Sequence, residues 1–205
     1  MTHSRALPMA SHLPDVDKKT LRRQLRALRR SLSKTQQQKA SFLIGRKLNA
    51  LGRVGRNIAA YLACDGEIAL PRTFIRTHTI FLPCLHPNKQ FGLGFRLIGK
   101  TRLSHLQIPE PARGKPYLAW QLDMILLPLV GFDQQGHRLG MGGGFYDRAL
   151  ADLARRPKRP LLIGLAHDCQ ECPIIPQDPW DYPLDGIMTP HHTFWRRPIT
   201  NKHPL

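Results

Sequence analysis

Hydrophobic and polar positions follow two different periods along this chain, and the points where the period changes mark its elements. Leu21, Leu25, Leu28 and Leu32 recur at three- and four-residue intervals, the spacing that aligns one face of an α-helix. With Asp17 as N-cap, the pattern predicts a helix over residues 18–32. Lys18, Arg22, Arg26 and Arg29 form a cationic stripe beside the leucines, ordinarily read as a solvated basic face. Ser33-Lys34-Thr35-Gln36 has the form of a capping box and starts a second helix reaching about Leu51. From Asn57 the helical period gives way to short, continuous apolar runs. Residues 58–63, 79–85, 91–98, 124–132 and 161–166 read as strands, with a last one near Ile187. Helical patterns return at 70–76 and 145–155. A Pro- and charge-rich connection covers 100–117, and a Pro-rich stretch covers 173–183.

Continuous apolar strands alternating with helices predict an α/β fold. The expected architecture is a single domain over residues 17–195, with a mostly parallel central sheet flanked by helices and an N-terminal basic helix. Residues 1–16 read as a disordered start and 196–205 as a loose basic tail. Ligands of such sheets sit beyond the carboxyl ends of the strands. The chain exits after Ala63, Phe132 and Ala166 are therefore expected to converge on one cleft.

No run approaches the ~18 apolar residues of a membrane span; the longest, 124–132, contains Pro128. The first residues lack the apolar core of a signal peptide. A cytoplasmic protein is expected, and a monomer, because no heptad seam or exposed apolar stripe is evident. Cys169 and Cys172 have C-x-x-C spacing, but Cys64 and Cys84 form no second close pair and Pro173 follows at once, so free thiols are expected.

The richest chemistry lies between the fourth strand and the helix after it. Gly140, Gly142, Gly143 and Gly144 fall within five positions, between an apolar run and a helical one. Such a loop cannot pack a core; it leaves N–H groups bare and admits positive φ, so that main chain approaches an anion closely. Phosphate is the usual guest where a helix follows. The loop is not a Walker A sequence, since no Gly-Lys-Ser/Thr follows. Nor is it a dinucleotide fingerprint, whose last glycine would fall on Phe145. The formal net charge of +17 suits anionic substrates or nonspecific contact with nucleic acid. The charge is spread along the chain and aromatic residues are scattered, which does not make a base-stacking platform.

Gly131-Phe132-Asp133, Gly136 and the run from Arg138 to Asp147 resemble the signature of the 5-formyltetrahydrofolate cyclo-ligase family. The resemblance extends to Lys18-Lys19-Thr20-Leu21-Arg22, to the segment from Tyr61 to Ile68, to Ala166-His167-Asp168-Cys169-Gln170 and to Trp180-Asp181. These occur in the family's order. The resemblance implies an enzyme that uses ATP and Mg²⁺ to close 5-formyltetrahydrofolate to 5,10-methenyltetrahydrofolate, releasing ADP and phosphate. It also implies roles. Lys18, Lys19 and Arg22 match ATP-phosphate contacts, and Arg138, Leu139, Gly140, Met141, Gly142, Gly143, Gly144, Phe145 and Tyr146 match the nucleotide loop. Arg138 and Tyr146 are the groups expected at the reacting atoms. Leu62 and Glu67 match the folate side, which Met141 to Phe145 also meet, and Asp147 and Asp181 match the Mg²⁺ carboxylates.

The chain departs from the pattern at two positions. Many relatives carry a basic residue at Met141, and some a lysine at Gly143. Neutralisation of phosphate charge then falls to Arg138, Arg148, Lys18 and Arg22. A rival reading is a basic RNA-binding protein whose glycine loop and N-terminal helix contact backbone phosphate.

Overall fold

Helix α1 (Lys18–Arg30) starts where Asp17 caps it, the carboxylate accepting from the Thr20 N–H at 3.2 Å. The structure is a computed structural model that describes residues 17–51, 55–105 and 108–196. The expected disordered start and all of the basic tail except Arg196 lie outside those residues. The stripe that α1 buries differs from expectation. Leu25 and Arg29 are the buried positions, while Leu28 is 50% exposed. Positions four apart stack on one face, so turning Leu25 inward brings Arg29 with it and leaves Leu28 outside.

Helix α2 (Lys34–Ala50) begins with the predicted capping box, Ser33 and Gln36 each bonding the other's N–H. It buries Ala40, Ile44 and Leu48, four residues apart.

The central sheet holds β1 (Asn57–Ala59), β2 (Thr79–Leu85), β3 (Leu93–Leu97), β6 (Met124–Pro128), β9 (Leu161–Leu165), β10 (Gly186–Met188) and β11 (Thr193–Trp195), in the order β11-β10-β9-β6-β1-β2-β3. The five strands from β10 to β2 run parallel, and β3 and β11 add antiparallel edges. Alternation along each strand feeds two cores. Ile58, Ile80, Leu126 and Ile163 pack with Ile44 and Leu48 of α2 and with Phe74 of α3 (Arg72–Thr77). Ala59, Phe81, Ile125, Leu127 and Leu162 face the other way, toward Leu150 and Leu153. Both faces are covered, which is why the strands read as unbroken apolar runs. Truncating a fully buried residue such as Leu126 to alanine is expected to cost about 2–5 kcal/mol.

The departures from the predicted elements have local causes. The run expected as one strand over 124–132 divides. After Pro128 the carbonyls of Leu129 and Val130 leave the ladder and are taken by side chains instead. Arg29 donates to Leu129 at 2.9 Å, and Gln170 donates to both at 2.6 and 3.0 Å. The chain then forms a separate hairpin, β7 (Gly131–Phe132) with β8 (Arg138–Leu139). Asp133 closes its turn, accepting from the Gln135 and His137 N–H groups.

The expected helix over 70–76 starts at Arg72, because Leu70 precedes a proline and is disfavoured in helical geometry. The strand expected from Phe91 begins at Leu93, after a 3₁₀ turn over Lys89–Phe91. The helix expected over 145–155 is α4 (Phe145–Leu150), tightening to a 3₁₀ turn over Ala151–Arg155. The 100–117 connection contains a small hairpin, β4 (Thr101–Leu103) with β5 (Pro109–Pro111), and β11 was not expected. Among the described residues no helix is long and apolar enough to cross a membrane.

Candidate functional site

A cleft of about 620 Å³ opens at the carboxyl ends of the parallel strands. Two of the three predicted exits meet there: the turn after β1, from Leu62 to Glu67, and the glycine loop between β8 and α4. The exit after β9 lies behind them as a brace, with His167 Nε2 3.1 Å from the Gly66 carbonyl. Burial pulls the His167 imidazole down, so it is neutral near pH 7 and serves as a hydrogen-bonding strut. Helix α1 adds Lys18 and Arg22, and the Pro-rich stretch adds Asp178, Trp180 and Asp181.

In the glycine loop, Gly142 has φ of 94° and Gly144, the N-cap of α4, has φ of 63°. Side-chain-bearing residues rarely adopt these angles. Among the described residues the N–H groups from Met141 to Phe145 have no partner. Two of the loop's carbonyls are held by arginines. Arg22 Nε donates to Gly140 at 2.9 Å, and Arg148 donates to Gly143 at 3.3 Å while lying 5.0 Å from the Phe145 ring centre. The Gly140, Gly143 and Gly144 carbonyls are thus occupied and the loop donors free, as an anion requires.

Cations and acids alternate across this end of the cleft. Arg138, whose side chain is 6% exposed, donates to the Tyr182 carbonyl and to the Asp147 carboxylate. Lys18 Nζ lies 2.6 Å from Asp178 and 3.2 Å from Asp181. Burial pulls the Lys18 ammonium down, but its hydrogen bonds to both aspartates outweigh this and raise its pKa. Each acid expected to hold metal is therefore paired with a cation expected to hold phosphate. Asp178 escaped the sequence reading, although its three-residue spacing from Asp181 was a usable signal. Lys19 is exposed and does not line the cleft.

Glu67 lines the same cleft, its side chain 7% exposed. Its Oε2 accepts from the Cys64 N–H at 3.1 Å, and its Oε1 lies 3.8 Å from Arg29 Nη1. Burial pushes the carboxyl pKa up, and Cys64 and Arg29 partly offset that rise. The Tyr146 phenol is pushed well up by burial and by the nearby Glu67 charge, so Tyr146 is a hydrogen-bond donor at neutral pH. Leu62, Met141 and Trp180 expose apolar surface at the rim.

The turn carrying Glu67 is pinned by a feature the sequence reading missed. Asp65 takes φ of 53° and receives Arg26 at 2.7 Å, Arg29 at 2.8 Å and Arg30. Burial alone would raise its pKa; the hydrogen bonds from Arg26, Arg30 and Arg29 override this and hold it at about 2. The cationic stripe of α1 is therefore divided: Lys18 and Arg22 face the cleft, while Arg26 and Arg29 clamp Asp65.

A second cavity of about 890 Å³ adjoins the first, sharing Leu85, Ser104, Glu110 and Phe145 with it. Lys89, Arg96, Arg102 and Arg148 give it a cationic lining. Arg96 Nε is buried there without a hydrogen-bond partner. All four cysteines are free, Cys169 and Cys172 included.

No group of three or more His, Cys, Asp or Glu among the described residues is arranged to hold a metal alone. Asp147 and Asp181, which line the same cleft, fit a different donor set. A hard divalent ion such as Mg²⁺ needs only one or two carboxylates when phosphates and water complete its shell.

The sequence profile of the 5-formyltetrahydrofolate cyclo-ligase family matches residues 14–190. The chain is 35% identical over 179 residues to the 5-formyltetrahydrofolate cyclo-ligase of Haemophilus influenzae, covering 82% of this chain and 95% of that protein. It is 34% identical to the Escherichia coli K12 protein of the same name, covering 81% of this chain and 96% of the other. Among solved structures it superposes on the 5,10-methenyltetrahydrofolate synthetase of Aquifex aeolicus with a TM-score of 0.74 at 26% identity, over 91% of this chain and 97% of that one. The Mycoplasma pneumoniae 5,10-methenyltetrahydrofolate synthetase gives 0.69 at 26% identity, over 85% and 99%. With the profile covering nearly the whole described chain and the fold and cleft in agreement, this chain belongs to the 5-formyltetrahydrofolate cyclo-ligase family.

Proposed function

We propose that this chain catalyses the ATP- and Mg²⁺-dependent closure of 5-formyltetrahydrofolate to 5,10-methenyltetrahydrofolate. The observation that carries the reading is the lining of one cleft, which brings free loop N–H groups, Lys18, Arg22 and Arg138 together with buried Glu67. A triphosphate suits the N–H groups and cations. Glu67 suits the hydrogen-bond donors on the edge of a pterin, for which a carboxylate is the matching acceptor.

The formyl oxygen is a poor leaving group, so the γ-phosphoryl group of ATP is transferred to it, breaking the bond to ADP. The second folate nitrogen then attacks the formyl carbon and loses its proton. The C–O bond breaks, phosphate departs, and the ring is closed. Such chemistry needs alignment and charge neutralisation rather than a protein nucleophile. In this reading Lys18, Arg22 and Arg138 neutralise the nucleotide, and the glycine loop cradles the phosphate under transfer. Tyr146 donates a hydrogen bond near the reacting oxygen. Leu62 and the residues from Met141 to Phe145 pack against folate. Asp147 and Asp181 would hold Mg²⁺, which supplies neutralising charge at the β- and γ-phosphates when bound. The cationic second cavity suits the carboxylates of the folate tail.

The test is direct: purified protein with 5-formyltetrahydrofolate, ATP and Mg²⁺ should show the near-ultraviolet absorbance of methenyltetrahydrofolate, with ATP consumed only when all three are present. No absorbance rise from folded protein refutes the reading.

The rival reading, RNA-backbone binding, is weakened by the inward use of the basic residues it needs. Lys18, Arg26, Arg29, Arg30 and Arg138 are all paired with carboxylates. Phosphate-dominated RNA binding should collapse between ~50 and 200 mM salt, a titration that separates the two. The reading includes a cytoplasmic monomer; the four free thiols suit a reducing compartment, and sedimentation and cell fractionation check the two parts.

A further inference from the structure

Helix α1 buries one arginine completely, and no step of the proposed reaction uses it. Arg29 has 0% exposure. Its Nε donates to the Asp65 carbonyl at 2.9 Å, its Nη2 to the Asp65 carboxylate at 2.8 Å and its Nη1 to the Leu129 carbonyl at 2.9 Å. It thereby joins α1 to both chain segments that leave the strands at the cleft. A buried guanidinium is a costly tie, and a well-packed apolar side chain often serves stability as well. Its charge therefore asks for an explanation beyond anchoring.

The explanation lies in how the two nearby carboxylates are supplied. Asp65 also has Arg26 at 2.7 Å and Arg30. Glu67 has only Arg29: among the described residues no other cation lies within ion-pair distance of it. At 3.8 Å the guanidinium acts on Glu67 Oε1 through charge rather than through a short hydrogen bond. The oxygen's lone pairs thus stay free for a ligand in the cleft.

We infer that Arg29 is a positioning residue for the folate side of the reaction, holding the Glu67 carboxylate ionised and aimed into the cleft. The inference rests on the proposed role of Glu67 as the pterin-facing acceptor.

The groups facing Glu67 are Cys64 and Asp65 in its own turn, Arg29 from α1, Tyr61 two residues beyond β1 and Tyr146 from α4. Burial and Asp65 favour the neutral acid; the Cys64 N–H and Arg29 favour the carboxylate. Only the carboxylate accepts from substrate donors with both oxygens. Folate affinity therefore improves as pH rises through the Glu67 pKa. Removing Arg29 moves this limb to higher pH, and removing the Asp65 charge moves it to lower pH.

The experiment measures KM for 5-formyltetrahydrofolate and for ATP from mildly acid to mildly alkaline pH in wild type, Arg29→Met, Arg29→Lys and Asp65→Asn, with the Tm of each. Arg29→Met is expected to move the acid limb of the folate KM up by about one pH unit or more, so that on the acid side of the wild-type limb the folate KM rises about tenfold, one pH unit of displacement being tenfold in the ionised fraction there. The defect should shrink as pH rises, with ATP KM unchanged. Arg29→Lys, which keeps the charge, should leave the limb near its wild-type position even if Tm falls. Asp65→Asn should move the limb to lower pH although it loosens the same clamp. Should Arg29→Met fail to fold, the last two variants still decide. A limb that stays put in Asp65→Asn, or moves up in both, overturns the inference. So do folate and ATP KM values that rise together in proportion to lost Tm. If wild type forms no methenyltetrahydrofolate, the proposed reaction falls and takes this role with it; if wild type turns over and the limb is unmoved, only the role of Arg29 falls.

Discussion

Replacing Asp65 by asparagine isolates the charge at the centre of the arginine clamp. Asparagine tolerates the 53° φ at this position and keeps an oxygen acceptor, so the backbone and part of the hydrogen bonding survive. The Asp65 carboxyl has a folded-state pKa of about 2, below its ordinary 3.8. A group depressed in this way stabilises the fold at pH values above its unfolded pKa, and that stabilisation is lost as pH falls through the folded value. A shift of nearly two units corresponds to about 2 kcal/mol. Arg26 and Arg30 are partly exposed, and solvent screening reduces the figure to about 1 kcal/mol. Arg29 is fully buried and loses a charge-assisted bond, which adds about 1 kcal/mol. The expected loss at pH 7 is about 2 kcal/mol, or a Tm lower by roughly 4–8 °C for a chain of this size.

Urea and thermal unfolding of both proteins at a series of pH values supply the assay. The linkage part of the difference should persist down to about pH 4 and shrink to roughly half by pH 3. A gap under about 0.5 kcal/mol at pH 7 is what an ordinary surface substitution produces, and it would refute the clamp. A gap that does not narrow on acidification would refute its electrostatic origin.

Three further outcomes are expected. Asp147→Asn or Asp181→Asn should lower kcat by ~10²-fold or more, judging from comparable electrostatic deletions, with part of the loss recovered at high Mg²⁺; steady-state kinetics against Mg²⁺ concentration checks this. Glu67→Gln brings donors to face the donors of the pterin and should weaken folate binding by ~1–3 kcal/mol while ATP affinity holds, as measured by calorimetry with each ligand. Gly144→Ala places a side chain at φ of 63° with its Cβ 3.0 Å from Arg148, and the strain of about 1–3 kcal/mol should appear as weaker ATP binding, measured by calorimetry.

The α/β class, both long helices with their caps, the strand cores and the glycine loop were legible in the sequence, because each depends on neighbours a few residues apart. Ser33 and Gln36 form their capping box within one turn, and sheet burial on both faces writes itself as continuous apolar runs. What stayed hidden depended on partners far along the chain. The break after Pro128 needs Arg29 and Gln170 to take the freed carbonyls, residues about a hundred positions before and forty after it. The basic stripe of α1 looked uniform, yet packing of Leu25 against Val130, Leu139 and Ile175 turns Arg29 inward, exposes Leu28 and leaves Lys18 to meet Asp178 and Asp181. Periodicity specifies which residues share a helix face, but not which neighbour that face will meet. A charged side chain takes its role from that neighbour, because desolvation and the nearest opposite charge set its energy.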